Sequence, residues 1–332
     1  MCGFFLCGKM LGRGETVSIL ITGGAGFIGS HLTKRLVKEG FDITVIDSFH
    51  NYYSVKQKKD QLEEAKSSGA FEFYELDLLD EGRLNKWFQE KRFKTVIHLA
   101  AIPGVPASIA DPHLYIDYDI KATVNLLRAA GESGVSHFVF ASSSSVYGNA
   151  SGIAKASKEE DAAGSVVSPY AAAKWGAESF CKAYSSLYGF DLTVLRFFTV
   201  YGPWVRPDMA IPIFINKLMR KEKLYLFNEH SARDYTYIDD ITEGIFLSLF
   251  GHRGERTYNL GSGTPVTLNT LTDALAHHFP HLEKEYTSRR KGDVERTWAD
   301  IGKASADLGY KPKFSIQEGL ERTVAWATAY FH

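Results

Sequence analysis

Short apolar runs alternate along the chain with longer stretches in which apolar residues recur every three or four positions. TVSILIT (16–22), DITVID (42–47), FEFYELD (71–77), TVIHLA (95–100), HFVFAS (137–142) and DLTVLRF (191–197) are rich in β-branched and aromatic residues and read as strands. Between them, FIGSHLTKRLVKEG puts Ile28, Leu32 and Leu36 on one face and stops at Gly40, a helix-ending residue. SVKQKKDQLEEAK, GRLNKWFQE, KATVNLLRAAGESG and a long stretch from about Ser168 to Leu187 carry further helical patterns. Strand–helix alternation predicts a parallel sheet covered by helices on both faces. Strands that are apolar almost throughout fit burial on both sides. The expected fold is α/β, a doubly wound parallel sheet.

Beyond Phe198 the pattern loosens. YGPWVRPDMAIP reads as a loop, and short strands (KLYLF, RTYNLG) and helices (VTLNTLTDALAHHF, SIQEGLERTVAWATAYF) then follow in irregular order. This predicts a smaller C-terminal α/β lobe at the carboxyl edge of the sheet, where open α/β sheets bind ligands. The expected organisation is an N-terminal extension (1–15), a nucleotide-binding domain (16–197, with a return segment at about 235–250) and a mainly substrate-binding lobe (198–332).

Composition narrows the partners. The 332 residues carry a formal net charge of −1, which gives no electrostatic reason to expect nucleic acid or an anionic membrane. No apolar run reaches the ~18 residues that span a bilayer. The opening MCGFFLCGKMLGRG has neither a basic region before its apolar patch nor a small-residue cleavage site after it, and reads as a loosely packed extension. Cys2, Cys7 and Cys181 have no metal-binding spacing, so we expect free thiols in a reduced, cytoplasmic protein and no metal.

Chemistry enters at ITGGAGFIGSHL, which joins the first strand to the first helix. Gly23, Gly26 and Gly29 let the backbone turn tightly and approach a pyrophosphate, which rests on the helix N-terminus beside Phe27 and Ile28. The strand before, the helix after and Asp47 at the end of the second strand supply the context this motif needs. A carboxylate at that place accepts hydrogen bonds from a ribose 2′-hydroxyl and repels a 2′-phosphate, so the expected cofactor is NAD and the fold Rossmann-type. Asp77 and Leu78 close the third strand toward the adenine, and Leu99, Ala100 and Ala101 line the nicotinamide side.

SPYAAAKWGAE sets Tyr170 and Lys174 four residues apart on one helix face. A phenol is a poor base at neutral pH. A nearby ammonium and an oxidised nicotinamide both favour the phenolate, which then takes a proton from a hydroxyl. SSSSVYG (142–148) supplies serine hydroxyls at a strand end to orient the same oxygen.

TGGAGFIG, HLAA, SSSSVYG, YAAAK and RDYTYIDD together resemble the extended short-chain dehydrogenase/reductases that act on nucleotide sugars, from about Val17 to the C-terminus. LRFFTVYGPWVRPDMA (195–210) resembles the UDP-glucuronate 4-epimerases within that group. The resemblance implies a catalytic set of Ser143, Tyr170 and Lys174, with Phe197 and Phe198 against the nicotinamide. It implies a UDP-sugar as substrate, epimerised at C4 through a 4-keto intermediate. Ser144 and Ser145 stand where sugar dehydratases carry acids, and with Thr199 they become candidates for holding a sugar carboxylate. Arg206, Arg233, Arg290 and Asp293 match diphosphate and ribose contacts, and Tyr225 and Phe227 flank the uracil.

Three features depart from that pattern. Asp119 replaces the usual Asn, which alters a cofactor-side hydrogen bond. IPGVPAS (102–108) lacks an expected arginine, and RKGD leans toward the galactose-type enzymes. A neutral-sugar 4-epimerase (UDP-glucose or UDP-N-acetylglucosamine), a UDP-glucuronate decarboxylase and a non-enzymatic NAD sensor therefore stay open. The resemblance also implies a homodimer, with Ala171, Ala172, Ala173, Gly176 and Ala177 permitting close helix–helix approach.

Overall fold

Successive strand residues feed two different cores. In β1 (Ser18–Thr22), Ile19 and Ile21 join one apolar cluster while Leu20 joins another on the opposite face. β-Strand side chains alternate faces, so a strand buried on both sides must be apolar throughout. The computed structural model describes residues 17–148, 155–227, 231–251, 253–287 and 296–331. The N-terminal extension, Cys2 and Cys7 lie outside them.

β1 is followed by α1 (Phe27–Lys38), β2 (Asp42–Asp47), α2 (Val55–Lys66), β3 (Glu72–Glu75), α3 (Glu81–Glu90) and β4 (Thr95–His98). Then come α4 (Ala122–Glu132), β5 (His137–Ser143), α5 (Pro169–Tyr188), β6 (Asp191–Phe197), α6 (Ile238–Ser248) and β7 (Glu255–Leu260). The seven strands are parallel, in the order β7-β6-β5-β4-β1-β2-β3. One core packs Leu32 and Leu36 of α1, Leu62 of α2 and Ile241 and Ile245 of α6 onto the sheet. The other packs Leu84 and Phe88 of α3, Leu126 and Leu127 of α4, and Ala177 and Cys181 of α5. β1 pairs with β2 on one side and β4 on the other, so the strand order reverses there and a crevice opens above their carboxyl ends.

The doubly wound sheet agrees with the sequence reading, with three differences. RTYNLG, expected in the second lobe, is β7 and pairs with β6 from Glu255↔Leu192 to Leu260↔Phe197. Tyr258 and Leu260 are buried in the same core as Leu195, which explains why this edge position is filled from far along the chain. Just before the stretch expected to be loop (201–212), and reaching its first residue, Thr199–Tyr201 forms a short strand paired with Tyr235–Tyr237. Finally, 105–121 holds two short helices and a π-helical segment, Ile116–Lys121, which turns Asp119 inward to 1% exposure. Of the small residues assigned to a dimer face, Ala171, Ala173 and Ala177 are buried within this chain. Ala172 alone of the four alanines is exposed.

A buried ion pair ties α5 to β6 behind the serine strand. Arg196 grips both carboxylate oxygens of Glu178, at 3.0 and 2.8 Å, and Glu178 also accepts from Ser142 Oγ. The remaining guanidinium donor reaches the Glu159 carbonyl (2.8 Å) and the Tyr147 hydroxyl (3.1 Å). Every polar group of the pair is thus satisfied at 3% and 1% side-chain exposure. Leaving one charge unpaired there is costly, whereas removing both is not. Glu178→Ala should therefore lose about 3–5 kcal/mol in urea unfolding, and Glu178→Leu combined with Arg196→Met should recover most of it. A Glu178→Ala protein as stable as the native one would contradict this assignment.

Candidate active site

The chain leaves β1 through Gly23, whose φ of +70° favours glycine. A Cβ there would sit 2.7 Å from the Ala100 backbone nitrogen, and one on Gly29 would sit 2.3 Å from the Gly23 carbonyl oxygen. Gly23 is thus fixed by φ and by sterics, and Gly29, inside α1, by sterics alone. Gly26 caps α1 in extended conformation without any side-chain cap, so the first turn of the helix faces the crevice uncovered by its own chain. At the end of β2, Asp47 accepts hydrogen bonds from the Ala25 N–H (3.1 Å) and the Phe49 N–H (2.8 Å). Burial pushes its carboxyl up from the usual range, while the Lys58 ammonium and the two backbone donors pull it back. Lys58 is held in turn by the His50 carbonyl at 2.6 Å.

A cavity of about 260 Å³ lies over these groups. That is far more than the ~10–15 Å³ a single water needs, so it is a ligand-sized space. Its wall contains the whole cofactor set read from the sequence: Gly23, Gly26, Phe27, Ile28, Gly29 and Asp47 at one end, and Asp77, Leu78, Leu99, Ala100 and Ala101 beside β3 and β4. Tyr170, Lys174 and Phe197 complete that set, and Ser143 and Phe198 join them. Asp77 is fixed by the Leu79 N–H (2.9 Å) and the Tyr118 hydroxyl (3.2 Å). A glycine turn, an uncapped helix start and an acid at the second strand end fit a dinucleotide in chemistry as well as in order.

The residues expected to be catalytic converge from two elements. β5 ends at Ser143, whose Oγ accepts the Ser145 N–H at 3.1 Å. α5 begins at Pro169 with Ser168 as its cap, and its first turns bring Tyr170 and Lys174 to the same cavity. The Lys174 ammonium donates to the Ala141 carbonyl (3.2 Å), lies 5.2 Å from the Phe140 ring centroid and is 4.0 Å from Asp119 Oδ2. The Tyr170 ring meets that of Tyr115 edge-on at 5.9 Å. Behind them, His98 bridges the hydroxyls of Thr22 (2.7 Å) and Thr123 (2.9 Å). Burial, reinforced by Lys174, lowers its imidazole to about 3 and keeps it uncharged.

The expected substrate contacts divide. Arg206 lines the cavity, where it donates to Asp208 (3.2 Å) and the Pro103 carbonyl (3.4 Å). Ser144 and Ser145 lie just outside the wall in the 3₁₀ turn that follows Ser143, and Thr199 lies in the strand after Phe198. Arg233 donates to the Ala232 carbonyl in a separate two-stranded pair, and Tyr225 is exposed beneath the Lys217 ammonium. Neither these two nor Phe227 forms part of the cavity wall; the strands carrying them belong to small two-stranded sheets separate from the seven-stranded one. Arg290 and Asp293 lie outside the described residues.

One group of wall residues escaped the sequence reading: His50, Tyr52, Tyr53 and Lys58, all from SFHNYYSVKQK. An aromatic and basic cluster immediately after the acid-bearing strand is the signal that identifies them. Tyr52 reaches Asp208 at 3.2 Å, and Gln57 and Gln61 each donate to the Trp204 carbonyl at 3.2 Å. The proline-rich loop is thereby fastened to the cofactor end of the site.

Similarity to known proteins runs along almost the whole chain. A UDP-glucuronate 4-epimerase of Thermodesulfobacterium geofontis is 41% identical over 311 residues, covering 93% of this chain and 95% of that protein. A crystal structure of UDP-glucuronic acid 4-epimerase from Bacillus cereus, in complex with UDP-glucuronic acid and NAD, superimposes with a TM-score of 0.88 at 33% identity, over 95% of this chain and 100% of that one. UDP-glucose 4-epimerase of Thermotoga maritima with UDP-glucose gives 0.86 at 31% identity, with the same coverage. The family model described as GDP-mannose 4,6 dehydratase matches residues 20–323. The chain is therefore a member of the GDP-mannose 4,6 dehydratase family of extended short-chain dehydrogenase/reductases.

Proposed function

We propose that this chain interconverts UDP-glucuronate and UDP-galacturonate by inverting the C4 centre of the sugar, with NAD held in the cavity. The observation that carries the reading is that Ser143, Tyr170 and Lys174 line the same cavity as the glycine turn and Asp47. The relatives named above, two of them with glucuronate in their names, support the sugar. Bound NAD supplies a reversible acceptor for the hydrogen on C4. Tyr170 Oη takes the proton of the C4 hydroxyl and later returns it. Ser143 Oγ donates to the same oxygen, and the Lys174 ammonium keeps positive charge beside the phenol. A second face of the 4-keto sugar must then turn toward the cofactor while UDP stays anchored, so binding is invested away from the reacting carbon. Arg206 is the diphosphate partner in this reading, exchanging Asp208 for phosphate.

The 4-keto acid loses CO₂ readily unless its carboxylate is held out of the geometry for cleavage. Ser144, Ser145 and Thr199, next in sequence to the wall residues Ser143 and Phe198, are the groups we assign to that carboxylate. Neutral hydroxyls bind it without adding a repelling charge. Despite the family's name, no acid stands at Ser144 or Ser145 to expel water. We also read the chain as a homodimer: Ile109, Ile116, Phe180 and Leu187 are 54%, 51%, 41% and 71% exposed, on the helices 105–110 and 116–121 and on α5, which pack against one another. No helix among the described residues is long and apolar enough to cross a membrane.

Incubation with UDP-glucuronate, UDP-glucose and UDP-N-acetylglucosamine, followed by NMR of the products, tests the substrate. UDP-galacturonate should form, and Tyr170→Phe should lower its rate by roughly 10²–10⁴. Turnover of the neutral sugars alone, or CO₂ release, would replace the reading with another member of the family. Asp47→Ala should weaken NAD binding about tenfold or more, the worth of hydrogen bonds to a charged group, and weaken NADP binding less; titration of the stripped protein reads both. Phe180→Glu with Leu187→Glu should shift sedimentation from dimer to monomer, and a native monomer would remove the dimer.

A further inference from the structure

Asp119 is a buried carboxylate beside Lys174 that the reaction above does not use. Its Oδ1 accepts the Ile102 N–H at 2.7 Å and so fixes the chain just past Ala101 on the cavity wall. Its Oδ2 is buried with no hydrogen-bond partner and lies 4.0 Å from the Lys174 ammonium. An ionised oxygen kept from water and offered no donor is costly unless an opposite charge faces it. Here that charge is the ammonium that serves Tyr170.

The surroundings leave few other charges in play. α5 contributes Lys174 and Tyr170, and the segment Pro112–Tyr115 contributes Tyr115, whose hydroxyl is tied to the Pro103 and Gly104 carbonyls. α4 offers Thr123, which donates to the Asp119 carbonyl at 2.7 Å, and β4 offers His98, held uncharged by burial. On its own segment Asp117 and Lys121 are exposed to solvent, and Tyr118 turns to Asp77. Burial lifts the Asp119 carboxyl to about 6, against the pull of Lys174 and of the Ile102 N–H. It is therefore charged at neutral pH and gains its proton in mildly acidic solution.

We propose that Asp119 is a positioning residue whose charge partly offsets that of Lys174, so that the Tyr170 phenol ionises at higher pH here than it would with an amide in the same place. The inference rests on the catalytic assignment of Tyr170 and Lys174. Coulomb attraction fixes its sign. A negative charge beside the ammonium lowers the positive potential felt at Tyr170, and lower potential means less phenolate at a given pH. Replacing the carboxylate with an amide keeps the acceptor for Ile102, removes the charge and puts an NH₂ group in place of the unpartnered oxygen.

The test compares native protein and Asp119→Asn with NAD and UDP-glucuronate across mildly acidic to alkaline pH. In the variant, the acid limb of kcat/KM should move down by about one pH unit, the low end of what a neighbouring charge does. At the native limb this raises its fraction of maximal activity by up to about tenfold. A second readout needs no turnover: the near-ultraviolet phenolate absorbance of each NAD-bound protein, minus that of its Tyr170→Phe partner. That difference should move to lower pH by the same amount in Asp119→Asn. Superimposable titrations, or a move to higher pH, would overturn the proposal. If no nucleotide sugar is converted, the epimerase reading fails, while the absorbance titration still decides the role of Asp119.

Discussion

The backbone of Gly23 lies against that of Ala100, too close for any side chain at the glycine. This contact is the constraint on which the site depends. It joins the ends of β1 and β4, the two strands between which the order of the sheet reverses. With no Cβ in the way, the α1 N-terminus, the Asp47 carboxylate and the β4 exit close around one space. Because strands and helices are packed on both faces, that space is the crevice at the carboxyl edge, where ligands of open α/β sheets bind.

On the far side of the crevice the groups proposed to be catalytic depend on a different kind of support. Tyr170 and Lys174 are carried by a 20-residue helix, and Ser143 by the last position of a central strand. Glu178 and Arg196 lock that helix to the next strand, and Ser142 is drawn into the same network. The four consecutive serines thus divide their labour. Ser142 braces the strand from behind, Ser143 faces the cavity, and Ser144 and Ser145 form the turn that ends it. A polar group that braces from behind is satisfied inside the protein, while the Ser143 hydroxyl, which accepts the Ser145 N–H, faces the cavity.

Strands and motifs were legible in the sequence because their physics is local. Apolar runs fix β1, β2, β5 and β6 to within two residues, and the glycine spacing gives the cofactor wall. What was not legible depends on distant pairing. β7 comes from a segment that reads like lobe sequence, and only its match to β6 reveals its place. The π-helical turn that buries Asp119 has no periodic signature of its own, so its sequence shows an unusual residue without showing which way it faces. Arg206 and Arg233 look alike as loop and strand arginines, yet only the first meets the cavity, through a loop tied down by Gln57, Gln61 and Tyr52. The serine positions were readable as motif, but the role of Ser142 requires Glu178, which lies 36 residues away.

The central claim is that a phenol, an ammonium and a strand-end hydroxyl act on C4 of a sugar beside a dinucleotide that stores the C4 hydrogen and gives it back. The most direct measurement is the fate of that hydrogen. UDP-glucuronate deuterated at C4 should yield UDP-galacturonate that keeps its deuterium at C4 when the reaction runs in ordinary water, as read by NMR and mass spectrometry. Product with solvent hydrogen at C4 would contradict the account, because the inversion would then proceed without storage in the cavity.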